Sequence, residues 1–308
     1  MRVAVTGGAG FIGGNLCRAL LREPGVEVSA IDDLSTGDLS NLDGLGMAFK
    51  NGSILDPKTL DEALSGADSV VHLAARPSVA RSIDNPYQTH EANASGTLAV
   101  LESVRRLQIP HIVVASSSSV YGGNPASPKN EDLATRPLSP YAASKLATEA
   151  YALSYQASFG ISTLAFRFFN VYGPLQPAGH AYAACIPAFI TAALRNEPVI
   201  VNGDGKQSRD FTFVDDVARV IVEAVKAKTA SENPVNLAFG GSVDLLSLLN
   251  ELEEIVGHGI EVTHGQERPG DVRHSKADPN EVRALFPQVE PVSLREGLQR
   301  TVQWWRER

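Results

Sequence analysis

The feature that most restricts what this chain can fold into lies at its amino terminus. A β-branched run, Val3–Thr6, is followed by Gly7, Gly8, Gly10, Gly13 and Gly14, and a second apolar run ends nineteen residues beyond Gly13 in Asp32-Asp33. Glycines at this density would wreck a signal helix, so Met1-Arg2 and the small apolar residues after it do not read as a secretory leader. They suit a strand, a tight turn and a helix start, where backbone N–H groups approach a pyrophosphate and the helix dipole favours negative charge. A carboxylate closing the second strand accepts from both ribose hydroxyls of an adenosine and repels a 2′-phosphate, so the expected cofactor is NAD rather than NADP. The expected cradle is Gly7, Gly10, Phe11, Ile12 and Gly13, the acids Asp32 and Asp33, and Ser35, Thr36 and Gly37 just after them.

The same strand-then-helix alternation continues along the chain. Strands are expected at Val3–Thr6, Val26–Ile31, Ser69–Leu73, Ile112–Ser116 and Thr163–Phe168, with amphipathic helices at Phe11–Leu21, Thr59–Ser65, Thr89–Leu107 and Tyr141–Phe159. This is the pattern of βαβ units around a parallel sheet, an α/β fold of the doubly wound, Rossmann type. From Tyr172 onward Pro174, Pro177, Pro187 and Pro198 interrupt the regularity, although Asp215–Lys226 reads as a helix and Pro234–Phe239 as a strand. We therefore expect residues 1–171 to form a cofactor domain, rejoined by about 212–240. Residues 172–211 and 241–308, including Val243–Val256 and the helix of Trp304-Trp305, form a smaller α/β substrate lobe.

Composition narrows the partners. The 308 residues are 43% hydrophobic and 20% charged, and no stretch approaches the roughly 18 apolar residues of a membrane span. With 27 basic against 35 acidic side chains the net charge is −8, which disfavours nucleic acid as a partner. Cys17 and Cys185 are too few for a disulfide framework or a cysteine zinc site, which suits a reducing, cytoplasmic setting. The 7 histidines show no H-x-x-x-H spacing, so no metal is expected.

Chemistry enters with Tyr141-Ala142-Ala143-Ser144-Lys145, which sets a phenol and an ammonium one turn apart on one helix face. Such pairs are common on solvated helices; this one follows a dinucleotide signature and a polar strand end, Ser116-Ser117-Ser118-Ser119. A free tyrosine has a pKa of about 10, so making it a base near pH 7 takes about three units, or roughly 4 kcal/mol. Two cations, Lys145 and an oxidised nicotinamide, are the expected source, and Ser117 would share a hydrogen bond with the same substrate hydroxyl.

At this point the sequence resembles the extended short-chain dehydrogenase/reductase family, and within it the nucleotide-sugar 4-epimerases. The likeness spans nearly the whole chain: the T-G-G-x-G-x-x-G start, Asp32, Ser117 before Val120-Tyr121-Gly122, Tyr141 with Lys145, Arg167-Phe168-Phe169-Asn170-Val171-Tyr172-Gly173-Pro174, Gly203-Asp204-Gly205, Arg209-Asp210-Phe211 and Arg268-Pro269-Gly270-Asp271. The resemblance implies NAD recycled within each turnover, Tyr141 as base, Lys145 on the nicotinamide ribose and Ser117 as partner. It also implies that Asn170, Arg209, Arg268 and Asp271 hold a nucleotide diphosphate, the arginines meeting phosphate and Asp271 the nucleoside. Leu73, Ala74, Ala75, Asn93, Ser116 and Phe168 are expected against the cofactor, and Ser78 against the sugar. Where many relatives carry Gly-Asp after the third strand, this chain has Gly52-Ser53; Ser53 and Ile54 are assigned to the adenine end, and Asp56, before Pro57, to the cap of the next helix.

Related dehydratases carry an Asp-Glu pair immediately after the Ser/Thr, to protonate a departing hydroxyl and remove a proton. Ser118 and Ser119 stand in those places here, so elimination loses its acid and base and a 4-epimerase remains. Ser275 stands where strict UDP-glucose/galactose enzymes carry a bulky Tyr, and together with Ala184 it leaves room for an acetamido group, with Gln176, Ser118 and Ser119 as hydrogen-bonding side chains. The expected reaction therefore interconverts UDP-GlcNAc and UDP-GalNAc, and UDP-glucose with UDP-galactose. Epimerases specific for UDP-glucose or UDP-glucuronate, a dehydratase and a non-catalytic NAD-binding sensor are the alternatives. In relatives the helices equivalent to Thr89–Leu107 and Tyr141–Phe159 form a dimer contact, so a homodimer is expected.

Overall fold

Strand β1 (Arg2–Thr6) buries Val3, Ala4 and Val5 on both faces, which is why it reads as a continuous apolar run rather than an alternation. The computed structural model describes residues 1–178, 184–266 and 273–308. Helix α1 (Phe11–Leu21) returns the chain to β2 (Glu27–Asp32), and β3 (Ala48–Asn51), α2 (Pro57–Leu64) and β4 (Ser69–His72) follow. Asp56 caps α2 by accepting from Lys58 N, with Pro57 at the first helical position as the sequence suggests. The helix expected over Thr89–Leu107 is divided: after the short α3 (Val79–Asp84), α4 (Pro86–His90) runs through a π turn at Glu91–Ser95 into α5 (Gly96–Arg106). Next come β5 (His111–Ser117), α6 (Pro140–Phe159) and β6 (Ser162–Phe168). Ser139 caps α6 from one end and Gly160, in the left-handed conformation, closes the other.

Beyond this the chain forms β7 (Val171–Tyr172), α7 (Cys185–Leu194), β8 (Val199–Asn202), β9 (Ser208–Asp210) and β10 (Thr212–Phe213), then α8 (Val214–Ala227) and β11 (Val235–Leu237). It ends with β12 (Ser242–Asp244), α9 (Leu245–Val256), β13 (Val262–Gly265), α10 (Asn280–Leu285) and α11 (Leu294–Arg306). Pro187 is compatible with α7 because it lies in the first turn, where no intrahelical N–H is needed.

Seven parallel strands form the central sheet in the order β11-β6-β5-β4-β1-β2-β3. Side chains alternate between its faces. Val3, Val5, Val113 and Leu164 pack with α1 and α8, whereas Ala4, Ile112, Val114 and Ala165 pack with α2, α5 and α6. The strand order reverses between β1 and β4, so the loops leaving their carboxyl ends diverge and open a crevice, the usual ligand position in such sheets. A third core, with Ile186, Phe189 and Ile190 from α7, Leu248 and Leu252 from α9, and Leu298 from α11, holds the late elements together. The pairs β9–β12 and β8–β13 belong to this part. No described helix is long and apolar enough to cross a membrane.

Candidate active site

The glycine loop fills the crevice above β1. Gly7 has φ +73°, and a Cβ there would lie 2.6 Å from Ala74 N, while one on Gly13 would meet Gly7 O at 2.1 Å. Leu73, Ala74 and Ala75, half-buried, thus form the facing wall. Gly10 caps α1 without a side-chain hydrogen bond, so the first-turn N–H groups at Phe11 and Ile12 face the crevice without competition from a cap. At the end of β2 the two acids diverge. Asp32 is buried, accepting from Ala9 N at 3.0 Å and Leu34 N at 2.8 Å, whereas Asp33 is exposed and accepts from Ser35 N at 2.9 Å. Burial pushes the Asp32 carboxyl above its ordinary range, against the pull of those N–H bonds. Asp32 is thus tied to the glycine loop through Ala9, while Asp33, just past the strand, closes the turn to Ser35. Gly37 packs against Asp32, and Ser35 and Thr36 are exposed. These features fit a dinucleotide: small residues where a pyrophosphate approaches and one carboxylate with lone pairs for ribose hydroxyls. After β3, Ser53 Oγ accepts from Leu55 N at 3.1 Å, and Ile54 is buried beside Gly96.

Beneath the crevice runs a buried polar chain. His72 binds Thr6 Oγ1 through Nδ1 at 2.7 Å and Thr97 Oγ1 through Nε2 at 3.0 Å, and Thr97 meets Thr148 of α6 at 3.0 Å. Burial pushes the His72 pKa down to about 3, with the Lys145 charge acting in the same sense, so this imidazole stays neutral. Asn93, in the π turn, accepts from Arg76 N at 2.7 Å and donates to Ser144 Oγ at 2.9 Å. The extra residue in that turn is what aims Asn93 between the β4 loop and α6.

Tyr141, Lys145 and Glu149 project from successive turns of α6 onto the last three residues of β5. The Ser117 hydroxyl acts on the Tyr141 phenol and draws its pKa down. Ser119 N donates to Ser117 Oγ at 3.2 Å, which leaves the serine's own proton for the tyrosine oxygen. Lys145 Nζ donates to Ala115 O at 2.8 Å, and Ser116 Oγ donates to Glu149 Oε2 at 2.7 Å. Glu149 also takes Arg167 of β6 in a two-pronged pair, at 2.8 Å and 3.1 Å, and all of these side chains except Tyr141 and Ser117 are fully buried. The Ser116 side chain is therefore turned to α6, which leaves its backbone for the cofactor contact expected of this position. Phe168 lies beside Ser117 in the β5–β6 register and is half-buried. Burial raises the Tyr141 phenol above its ordinary value, opposed by Ser117, and pushes Lys145 down to about 8. Burial thus opposes ionisation of the phenol, and Ser117 favours it.

A cavity lies beyond the end of β6, against the lobe. Asn170, Gln176, Ala184 and Arg209 line it, together with Asn202, Gln207 and Ile200, which the sequence reading did not single out. Asn170 is held at φ 30° and donates to Asp210 O at 3.0 Å. Arg209 donates to Ser208 O at 2.8 Å, and Asp210 Oδ2 accepts from Ala277 N at 3.0 Å, its carboxyl pushed up to about 6 by burial. Ser275 is half-buried, its N–H bonded to Ser208 O at 3.0 Å, and it is not among the described lining residues. Ser78, at φ 102°, caps α3 by accepting from Arg81 N at 3.3 Å. Ser118 and Ser119 form the turn after Ser117, and Ser119 Oγ is buried without a partner. Arg268 and Asp271 lie outside the described residues. Among the described residues no group of three or more His, Cys, Asp or Glu is placed to hold a metal.

Comparison with known proteins matches residues 3–238 to a family described as the NAD dependent epimerase/dehydratase family. The chain is 34% identical to the UDP-glucose 4-epimerase of Mycolicibacterium smegmatis, covering 99% of each chain. It superposes with a TM-score of 0.93 on a UDP-N-acetylglucosamine 4-epimerase of Methanobrevibacter ruminantium M1 solved with UDP-N-acetylmuramic acid, at 34% identity over 99% of this chain and 98% of that one. A UDP-glucuronic acid 4-epimerase of Bacillus cereus, solved with UDP-glucuronic acid and NAD, gives 0.90 at 32% identity over 100% and 99%.

Proposed function

The chain belongs to the NAD dependent epimerase/dehydratase family, and on that premise we propose that it inverts C4 of UDP-GlcNAc and UDP-GalNAc, with UDP-glucose and UDP-galactose as further substrates. The observation that carries this reading is the placing of Tyr141 and Lys145 of α6 against the end of β5, where Ser117 acts on the phenol, with serines rather than carboxylates at 118 and 119. Tyr141 takes the proton of the C4 hydroxyl and returns it after the sugar has turned over, while Ser117 holds the same oxygen. NAD, when bound, supplies the two-electron acceptor and donor of the cycle. Gly7, Gly10, Gly13 and Asp32 would hold its adenosine and pyrophosphate. Lys145, with two N–H bonds left after Ala115, would hold its nicotinamide ribose.

In this reading residues 1–171, rejoined by about 212–240, carry the cofactor, and 172–211 with 241–308 carry the nucleotide sugar. Asn170 and Arg209 face the diphosphate in the cavity, and Gln176 and Ala184 border the sugar. Arg268 and Asp271 complete the nucleotide contacts, and Ser275 leaves space for the acetamido group. Exposed apolar side chains at Ile83, Tyr87, Tyr151 and Phe159 support a homodimer through the α3–α6 face. Both cysteines are free thiols, in keeping with the cytoplasm.

The test is proton NMR and mass spectrometry of UDP-GlcNAc, UDP-glucose and UDP-glucuronate incubated separately with the purified protein. A galacto-configured product of unchanged mass from UDP-GlcNAc is the expected result. Loss of water would move the reaction to elimination, and conversion of UDP-glucose or UDP-glucuronate alone would overturn the sugar assignment. Bound NAD with no exchange in any tube would revive the sensor.

A further inference from the structure

Gln207 stands immediately before β9, after the tight turn at 203–206. Its Nε2 donates to Asn202 O at 2.6 Å, closing that turn, and its side chain is only 8% exposed. The amide cannot be reversed, since that would bring two carbonyl oxygens to the same separation. Its Oε1 is therefore committed to the other direction, where it is buried and has no partner. Gln207 lines the cavity, so a donor for this oxygen can come from the cavity's occupant. Leaving such an acceptor unpaired in a buried place is unfavourable, and a donor on the ligand would remove that cost.

Its place in the fold says which part of the ligand that is. Asn170 follows Phe168, the residue paired with Ser117, and so marks the catalytic end of the cavity. Asn202 pairs with Gly265 in the β8–β13 ribbon of the lobe, and Gln207 is tied to it. A nucleoside diphosphate sugar whose C4 lies at Tyr141, with its diphosphate at Asn170 and Arg209, places its nucleoside at the Gln207 end. Gln176 has the same pattern nearer the catalytic end: Nε2 donates to Val171 O at 3.1 Å and Oε1 is buried without a partner.

We infer that Gln207 is a specificity-determining residue that reads a hydrogen-bond donor of the nucleoside, its side-chain carbonyl accepting the imide N–H of the base or a ribose hydroxyl. This rests on the nucleotide-sugar reading of the site. The experiment is calorimetric titration of the NAD-loaded protein with UDP, CDP, 2′-deoxy-UDP and 3′-deoxy-UDP. CDP replaces the imide N–H by an acceptor nitrogen, and each deoxy analogue lacks one hydroxyl. Wild-type protein is expected to bind one of the three analogues at least tenfold more weakly than UDP, and that analogue identifies the donor. In Gln207→Met, with Gln207→Leu as the second variant should the first not fold, the same ratio should shrink to about twofold. Equal affinities for all four ligands in the wild type, or a ratio unchanged in the folded variant, would overturn the role of Gln207 while leaving the nucleotide-sugar reading in place. No binding of UDP at all would overturn that reading and this inference with it.

Discussion

Lys145 directs its ammonium to the carbonyl oxygen of Ala115 at 2.8 Å, one helical turn along from the Tyr141 phenol. A cation in that buried position is held at a cost, and its pKa falls from 10.5 to about 8. Below pH 8 both folded and unfolded chains carry the proton; between 8 and 10.5 the unfolded chain binds more, so stability rises with pH across that window. The full contribution is on the order of 3 kcal/mol. Urea unfolding of the cofactor-free protein at pH 7.5 and 10 should show this rise in the wild type and lack it in Lys145→Met. Parallel behaviour of the two proteins would refute the buried charge.

Tyr141→Phe removes the proton acceptor while leaving the ring and its packing. Turnover should fall about a thousandfold or more, and the variant should retain NAD, as read by absorbance and fluorescence of the purified protein. A variant with ordinary kcat would end the assignment of Tyr141 as base.

Glu149 and Arg167 form a buried pair, with side chains 5% and 4% exposed. Glu149→Gln leaves the guanidinium without its counter-charge and should cost about 3–5 kcal/mol in chemical denaturation. Glu149→Met combined with Arg167→Met should recover most of this loss, since no isolated charge remains. An equally large loss in the double variant would show that packing rather than charge governs the site.

Ser275→Tyr tests the sugar gate. The ratio of kcat/KM for UDP-GlcNAc to that for UDP-glucose should fall tenfold or more, with the UDP-glucose value largely kept. An unchanged ratio would mean that Ser275, bound through its backbone to Ser208, does not border the acetamido group.

Much was legible where the signal is local. Six of the seven parallel strands, the glycine loop before α1 and the Tyr141/Lys145 spacing follow from periodicity and from spacings within a single turn or strand. Strand β3 escaped because a short edge strand buries little, and Ala48 and Asn51 are exposed. The lobe escaped in part because its strands span only three or four residues and Pro187 hides the start of α7.

By itself, then, the sequence determined the doubly wound sheet, the crevice over β1 and the chemistry placed beside it, because each depends on neighbours along the chain. Tertiary structure alone decided which of Asp32 and Asp33 turns inward, that Ser116 faces Glu149, and that Gln207 leaves an acceptor open. Those choices depend on groups brought together by packing: Glu149 meets Arg167 18 residues away, His72 meets Thr97 at 25, and Asn93 meets Ser144 at 51. A hydrogen bond across such separations has no periodic trace in the sequence, since its partners become neighbours only when the helices close on the sheet.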